Sequence, residues 1–231
     1  MRVLILQFDH DKGPGLVEQP FLDAGCELDV RVDAHAPCDL AGTDALVMLG
    51  GMADPDGDAA TRAARATTER AIELGLPVLG ICLGAEILAL AAGGASPRCT
   101  PEYGFREVEL LPAVADDPVL RGLPERFRVF QAHGFSCAPP AAAVPLARSP
   151  VSLQAFRLGD RLWGTQFHFE PTLAMIEDWV ASVAVADALR AVGVDPDVLV
   201  ADARTYVPGW VERTAGIVER FVAASRALSP R

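Results

Sequence analysis

Within the first 95 residues, short apolar runs alternate with segments of helix length, and this rhythm restricts the fold more than any other feature. Val3 to Phe8, Leu28 to Val32, Ala45 to Leu49 and Val78 to Ile81 read as strands. Residues 59 to 74, which hold no Gly or Pro, and Leu83 to Ala92 read as helices. Glycines punctuate the pattern: Gly50-Gly51 follows the third strand, Gly75 the first helix and Gly93-Gly94 the second. Strands separated by helices do not pair as hairpins, so the expected core is a parallel sheet with helices on both faces.

The rhythm changes after residue 100. Phe105 to Leu110, Phe127 to Phe130, Leu153 to Leu158 and Leu162 to Phe167 are strand-like, and Gly159-Asp160 reads as a tight hairpin between the last two. From Thr172 three helix-like stretches follow, with breaks expected at Gly193 to Pro196 and at Pro208-Gly209. The expected fold class is α/β: an open, mostly parallel sheet in a three-layer, flavodoxin-like or Rossmann-like sandwich, with an antiparallel extension and a helical C-terminal tail. No linker divides the chain, so one domain is expected over residues 1–231, with its core at about 1–180 and the tail at about 181–231. A chain of 231 residues exposes about 10,000 Å² when folded against roughly 35,000 Å² unfolded, which leaves ample core without disulfides or metals.

Charge and cysteine usage narrow the class of function. The net charge of −11, with 31 acidic and 20 basic residues and no Lys/Arg block, repels phosphate backbones and argues against a nucleic-acid partner. Apolar runs stop far short of the roughly 20 residues that a membrane span needs, so no membrane partner is expected. Gln7 and Asp9 interrupt the first apolar run, so no signal peptide is expected. The five cysteines (Cys26, Cys38, Cys82, Cys99 and Cys137) are odd in number and scattered, which suits a reducing cytoplasm.

The densest chemistry lies in Gly80-Ile81-Cys82-Leu83-Gly84, where a strand runs in and a helix runs out. G-x-C-x-G in that setting is the cysteine form of a nucleophile elbow. Its glycines permit a sharp turn that presents the thiol above the sheet, and the helix N-terminus is expected to lower the thiol pKa. A cysteine nucleophile needs a base and a group to orient that base. His168 and Glu170, two apart at the end of the last strand, share a face, and Pro171 favours an extended Glu170. The amide of Leu83, next to the nucleophile, and that of Gly51, at a neighbouring strand end, are the candidate oxyanion donors. These groups gather at the carboxyl ends of strands, where open α/β sheets bind ligands.

Taken together, Val3 to Phe8, Ala45 to Gly51, Pro77 to Gly94, Gly122-Leu123-Pro124 through Gly134, and Gln154 to Pro171 resemble a class I (triad) glutamine amidotransferase domain of the stand-alone, GMP-synthase-like kind. The resemblance implies Cys82 as nucleophile, His168 as acid/base, Glu170 as its orienter, and Gly51 and Leu83 as the oxyanion hole. It implies glutamine as substrate, release of ammonia through a γ-glutamyl thioester, and no metal or organic cofactor. The implied partners are a small-molecule substrate, a synthetase that takes up the ammonia, or a second copy of the chain in a homo-oligomer.

Three positions depart from the family pattern. Glu86 stands where a Gln usually holds the amino-acid end of the substrate, Phe169 replaces the Pro of His-Pro-Glu, and Met52 replaces the Pro after the oxyanion glycine. A carboxylate at Glu86 repels an α-carboxylate but accepts an ammonium group, so a γ-glutamyl amide or peptide hydrolase with the same triad is the alternative enzyme. A non-catalytic binding or regulatory subunit on the same fold is the third reading. Glu86 and His133 are the substrate-binding candidates, although His133 also reads as a hydrogen-bonded histidine lining the cleft. No histidine has a ligand-spaced partner for zinc. Asp54 to Asp58 reads as an acidic turn, and Trp163, Trp179 and Trp210 read as packing residues.

Overall fold

Alternate residues of the apolar runs face opposite layers, as the two-residue period of a strand dictates. The computed structural model describes residues 1–10 and 13–228. In β1 (Arg2–Gln7) and β3 (Ala45–Met48), Val3, Ile5, Ala45 and Val47 enter one core, while Leu4, Leu6, Leu46 and Met48 enter the other. Both faces are therefore covered, which explains why these strands are continuously apolar. Among the described residues one sheet runs β2-β1-β3-β4-β9-β8-β7-β5-β6. Here β2 is Glu27–Val32, β4 is Val78–Ile81, β5 is Arg98–Leu110, β6 is Arg126–Phe135, β7 is Val144–Arg148, β8 is Leu153–Leu158 and β9 is Leu162–Thr165. Pairing is parallel from β2 through β4 to β9 and antiparallel from β9 onward. This is the expected α/β sandwich with its antiparallel extension.

Helices α2 (Ala59–Glu73) and α3 (Leu83–Ala91) cover one face. Asp58 opens α2 with a reciprocal capping box to Thr61, so the acidic turn at 54–58 ends in a helix cap. Helix α1 (Glu18–Asp23) and the long α6 (Pro196–Leu228) cover the other, where Phe21, Trp210, Ile217, Val218 and Phe221 join the strand residues. A third cluster, separate from both, ties α4 (Leu173–Ala181), α5 (Val183–Ala191) and the first half of α6 to Phe105 and Phe130.

Several elements differ from expectation. The break placed at Pro208-Gly209 is absent, because α6 continues through Pro208. A proline inside a helix removes one hydrogen bond and costs about 3 kcal/mol, but here Val207 and Trp210 flank it with buried contacts that hold the helix together. The expected break near Gly193 is present, and a further one falls at Ser182. Strands β5 and β6 extend well past the expected limits; Pro101, Gly104 and a register shift between Arg98 and Glu102 hide the periodicity of β5. Strand β7 is an addition to the expected set, masked in the sequence by Pro145, which sits inside it beside another register shift. The last three residues of the expected tail, 229–231, lie outside the described residues. No described helix is long and apolar enough to cross a membrane.

Asp117, fully buried, closes the short turn between β5 and β6 and ties it to β8 and β9. Its carboxylate accepts from the amides of Val119 (2.9 Å) and Leu120 (2.8 Å), from Arg157 Nε (3.0 Å) on β8 and from Trp163 Nε1 (3.2 Å) on β9. Replacing it with alanine leaves buried donors without partners and Arg157 without this counter-ion. Asp117→Ala is therefore expected to lower the stability to urea by about 3 kcal/mol or more, and an unchanged unfolding midpoint would contradict the account.

Candidate active site

The elbow is built by close approach. A Cβ on Gly80 would press into the backbone of Gly84 and Ala85, and a Cβ on Gly84 would strike the backbone of Met48 on β3. Both glycines are thus needed for α3 to start directly above the β4 end. Between them Cys82 takes φ 50° and ψ −109°, a left-handed conformation that non-glycine residues rarely adopt. The turn is pinned by the Cys82 amide donating to Thr165 (2.7 Å) and by the Ala85 and Glu86 amides donating to the Cys82 carbonyl (2.9 and 3.0 Å).

His168 lies just past β9, held to β6 by its amide donating to the Phe130 carbonyl (2.9 Å). Its Nδ1 and Glu170 Oε1 are 2.6 Å apart, both side chains nearly buried. The Nε2 atom is buried and has no hydrogen-bond partner among the described residues. Gly50 sits between: a Cβ there would collide with His168 Cε1 and lie 3.6 Å from Cys82 Cβ. Burial opposes charge on His168, but the Glu170 carboxylate and the Cys82 sulfur outweigh it and raise the imidazole pKa well above 6.5.

The thiol itself departs from expectation. Cys82 is only 3% exposed, and burial pushes its pKa up; the neighbouring His168 pulls it down, while Glu86 and Glu170 add to the rise. Loss of water at the sulfur outweighs the pull of His168, so deprotonation depends on handing the proton to that imidazole. Gly51 packs between Leu83 Cδ2 and Phe8, where a Cβ would come within 2.8 Å of each. The amides of Gly51 and Leu83 bond to no other backbone acceptor among the described residues.

Glu86 and His133 lie behind Cys82. The Glu86 carboxylate, 3% exposed, accepts from Gln166 Nε2 (2.8 Å), and burial raises its pKa against the pull of Gln166, His133 and His168. Gln166 also reaches Cys82 Sγ (3.8 Å), and its Oε1 accepts from Cys137 Sγ (3.2 Å). His133 faces the Phe135 carbonyl through Nδ1 (2.8 Å) and Glu102 through Nε2 (3.3 Å). Glu102, paired across the strands with His133, also accepts from Ser149 (2.8 Å) and Gln154 (3.0 Å); burial works against its charge, but these bonds hold its pKa below the usual value. Gln166 and Glu102 escaped the sequence analysis: Gln166 precedes His168 by two in the strand rhythm, whereas nothing local marks Glu102.

A cleft with a cavity volume of about 50 Å³ opens beside the imidazole, walled by Gly50, Gly51, His168, Phe130, Met175 and Trp179 among others. Phe130 lies between His168 and Trp179, with ring centroids 5.7 and 5.9 Å away. Trp179 is therefore a cleft residue as well as a packing residue, whereas Trp163 and Trp210 are buried as expected.

The family described as "Glutamine amidotransferase class-I" matches residues 16–177. A glutamine-hydrolyzing GMP synthase of Thermomicrobium roseum is 35% identical over 184 residues, covering 70% of this chain but 33% of its own, so the chain spans about a third of that relative. A protein of Methanoculleus marisnigri, named as one subunit of a glutamine-hydrolyzing GMP synthase, is 34% identical over 168 residues, covering 71% of this chain and 83% of its own. A glutamine amidotransferase of Thermotoga maritima superposes with a TM-score of 0.83 at 25% identity, covering 96% of this chain and 97% of its own. A second structure, from Methylobacillus flagellatus, superposes at 0.84 with 21% identity, covering 96% and 94%, which speaks for the fold.

The sign of the His168 shift gives a direct test. Glu170 is the first of the charges that raise the imidazole pKa, so neutralising it lets burial pull that pKa down. In Glu170→Gln the His168 ring protons, followed by NMR, should titrate at lower pH than in the wild type. A titration that does not move would remove Glu170 as the partner of His168.

Proposed function

The chain belongs to the class I glutamine amidotransferase family, and from that premise we propose that it hydrolyses the side-chain amide of glutamine or of a γ-glutamyl compound with Cys82, His168 and Glu170. His168 takes the Cys82 proton, and the sulfur attacks the amide carbon to form a C–S bond. The amides of Gly51 and Leu83 stabilise the negative oxygen. His168 returns the proton to the leaving nitrogen as the C–N bond breaks, leaving a γ-glutamyl thioester. Water, deprotonated by the same imidazole, then releases glutamate and restores the thiol.

The observation that carries this reading is a strained, buried thiol whose sulfur acts electrostatically on an imidazole fixed 2.6 Å from a buried carboxylate. A thiol whose burial resists ionisation needs such a base, and the Glu170 charge keeps that base strong. The γ-glutamyl amide reading draws support from Glu86, whose buried carboxylate occupies the position of the family's glutamine. A synthetase that consumes the ammonia is the proposed partner for the glutaminase reading, supported by the Methanoculleus marisnigri relative being named as one subunit of a larger synthase. The free cysteines among the described residues favour a cytoplasmic setting. Packing of α6 into the sheet core favours one folding unit rather than a core with a detachable tail.

Glutamate release from L-glutamine and from a γ-glutamyl amine, wild type against Cys82→Ala, tests the proposal. The variant should lose at least about 10⁴-fold in kcat, as removal of a nucleophile does elsewhere. Turnover that survives the substitution would exclude the thioester route, and labelling of the wild type by an electrophilic glutamine analogue should occur at Cys82.

A further inference from the structure

Resting on the hydrolase reading above, we infer that the cleft beyond His168 is a leaving-group pocket and that the chain acts on γ-glutamyl amides whose amine carries an apolar, preferably aromatic, substituent. A carbon attacked by Cys82 bears three further groups in the tetrahedral intermediate. One points to the oxyanion amides, the acyl chain points away, and the departing nitrogen must point to the group that protonates it. That group is His168, so whatever is attached to the nitrogen extends along the His168 side. Among the described pockets, the cleft beside the imidazole is the one that His168 and Gly51 both line.

Size and chemistry then select the amine. Ammonia is about as large as a water molecule, which needs about 10–15 Å³ of cavity volume, a fraction of the roughly 50 Å³ here. The deeper wall consists of Phe130, Pro171, Met175, Ile176 and Trp179, with Met52 at the rim. Met175, Ile176 and Trp179 lie on one side of α4, which Thr172 caps by accepting from the Met175 amide (3.1 Å). Phe130 continues the aromatic surface from the imidazole to the Trp179 indole. Apart from His168 and Glu170, which bond to one another through Nδ1 and Oε1, no charged side chain among the described residues lines the cleft. Met52 also has a place in this arrangement: a flexible thioether, 60% exposed at the mouth, closes over apolar groups of varied shape in a way that a proline does not. The reaction balances as in the parent proposal, with the γ-carbonyl passing to Sγ, the His168 proton to the amine, and water closing the cycle.

A graded substrate series tests this. L-Glutamine, γ-glutamyl-methylamide, γ-glutamyl-butylamide and γ-glutamyl-benzylamide are compared by kcat/KM on the wild type. The value should rise along the series, by about fourfold for each methylene that enters the cleft. A flat or falling series, with glutamine still hydrolysed through Cys82, overturns the pocket assignment while leaving the hydrolase reading intact. Failure of all four substrates would overturn the hydrolase reading instead. Binding is measured separately on Cys82→Ala by calorimetry, where the benzylamide should bind about tenfold or more tightly than glutamine, and equal affinities overturn the inference. In Trp179→Ala the benzylamide-to-glutamine ratio of kcat/KM should drop about tenfold. Loss of folded protein leaves that ratio unmoved, so an unchanged ratio counts against the pocket.

Discussion

The left-handed backbone at Cys82 is the constraint to which the neighbouring elements conform. A non-glycine residue held there costs on the order of 1–3 kcal/mol and persists only where its surroundings over-determine it. Here the restraints are specific: Gly80 and Gly84 let α3 touch β4 and β3, the Thr165 carbonyl takes the Cys82 amide, and the Cys82 carbonyl receives two amides from the first turn of α3. Each partner is a backbone group of the sheet or of the helix on it. The exposure of the sulfur to the imidazole is thus set by main-chain packing rather than by the side chains that happen to surround it.

Electrostatics act on that fixed geometry in opposing directions. Burial penalises the thiolate, the imidazolium and the Glu86 carboxylate alike. What separates them is company: His168 has a carboxylate and a sulfur beside it, whereas Cys82 has one cation and two acids. The proton accordingly has a strong home on the imidazole. Behind the sulfur, Gln166 bridges Glu86, Cys82 and Cys137, so a single amide orients three groups in a dry interior.

How much of this was legible in the sequence follows from the range of the interactions. Gly80, Cys82, Gly84, His168 and Glu170 were readable because turn chemistry and strand period are local, and the parallel half of the sheet was readable from its apolar runs. Glu102 was not, since its importance comes from facing His133 across β5 and β6, and β5 is itself disguised by Pro101 and Gly104. Pro208 misled because tertiary burial along α6 overrides a local breaker. Trp179 reads as a packing residue and Met175 carries no signal of its own; their place in the cleft depends on where the tail helices fold back, which no local pattern encodes. The expected lowering of the thiol pKa failed for a related reason, as desolvation is a property of the assembled site.

The third hydrophobic cluster has a consequence for how such a protein changes over time. Ile176, Val180, Leu189 and Leu199 form a unit that meets the sheet mainly through Phe105 and Phe130, apart from the two cores that fix the elbow. Substitutions within α4 can therefore reshape one wall of the cleft while the two cores around Cys82 stay in place. On the proposed reading, selection can act on what is recognised separately from the groups that react.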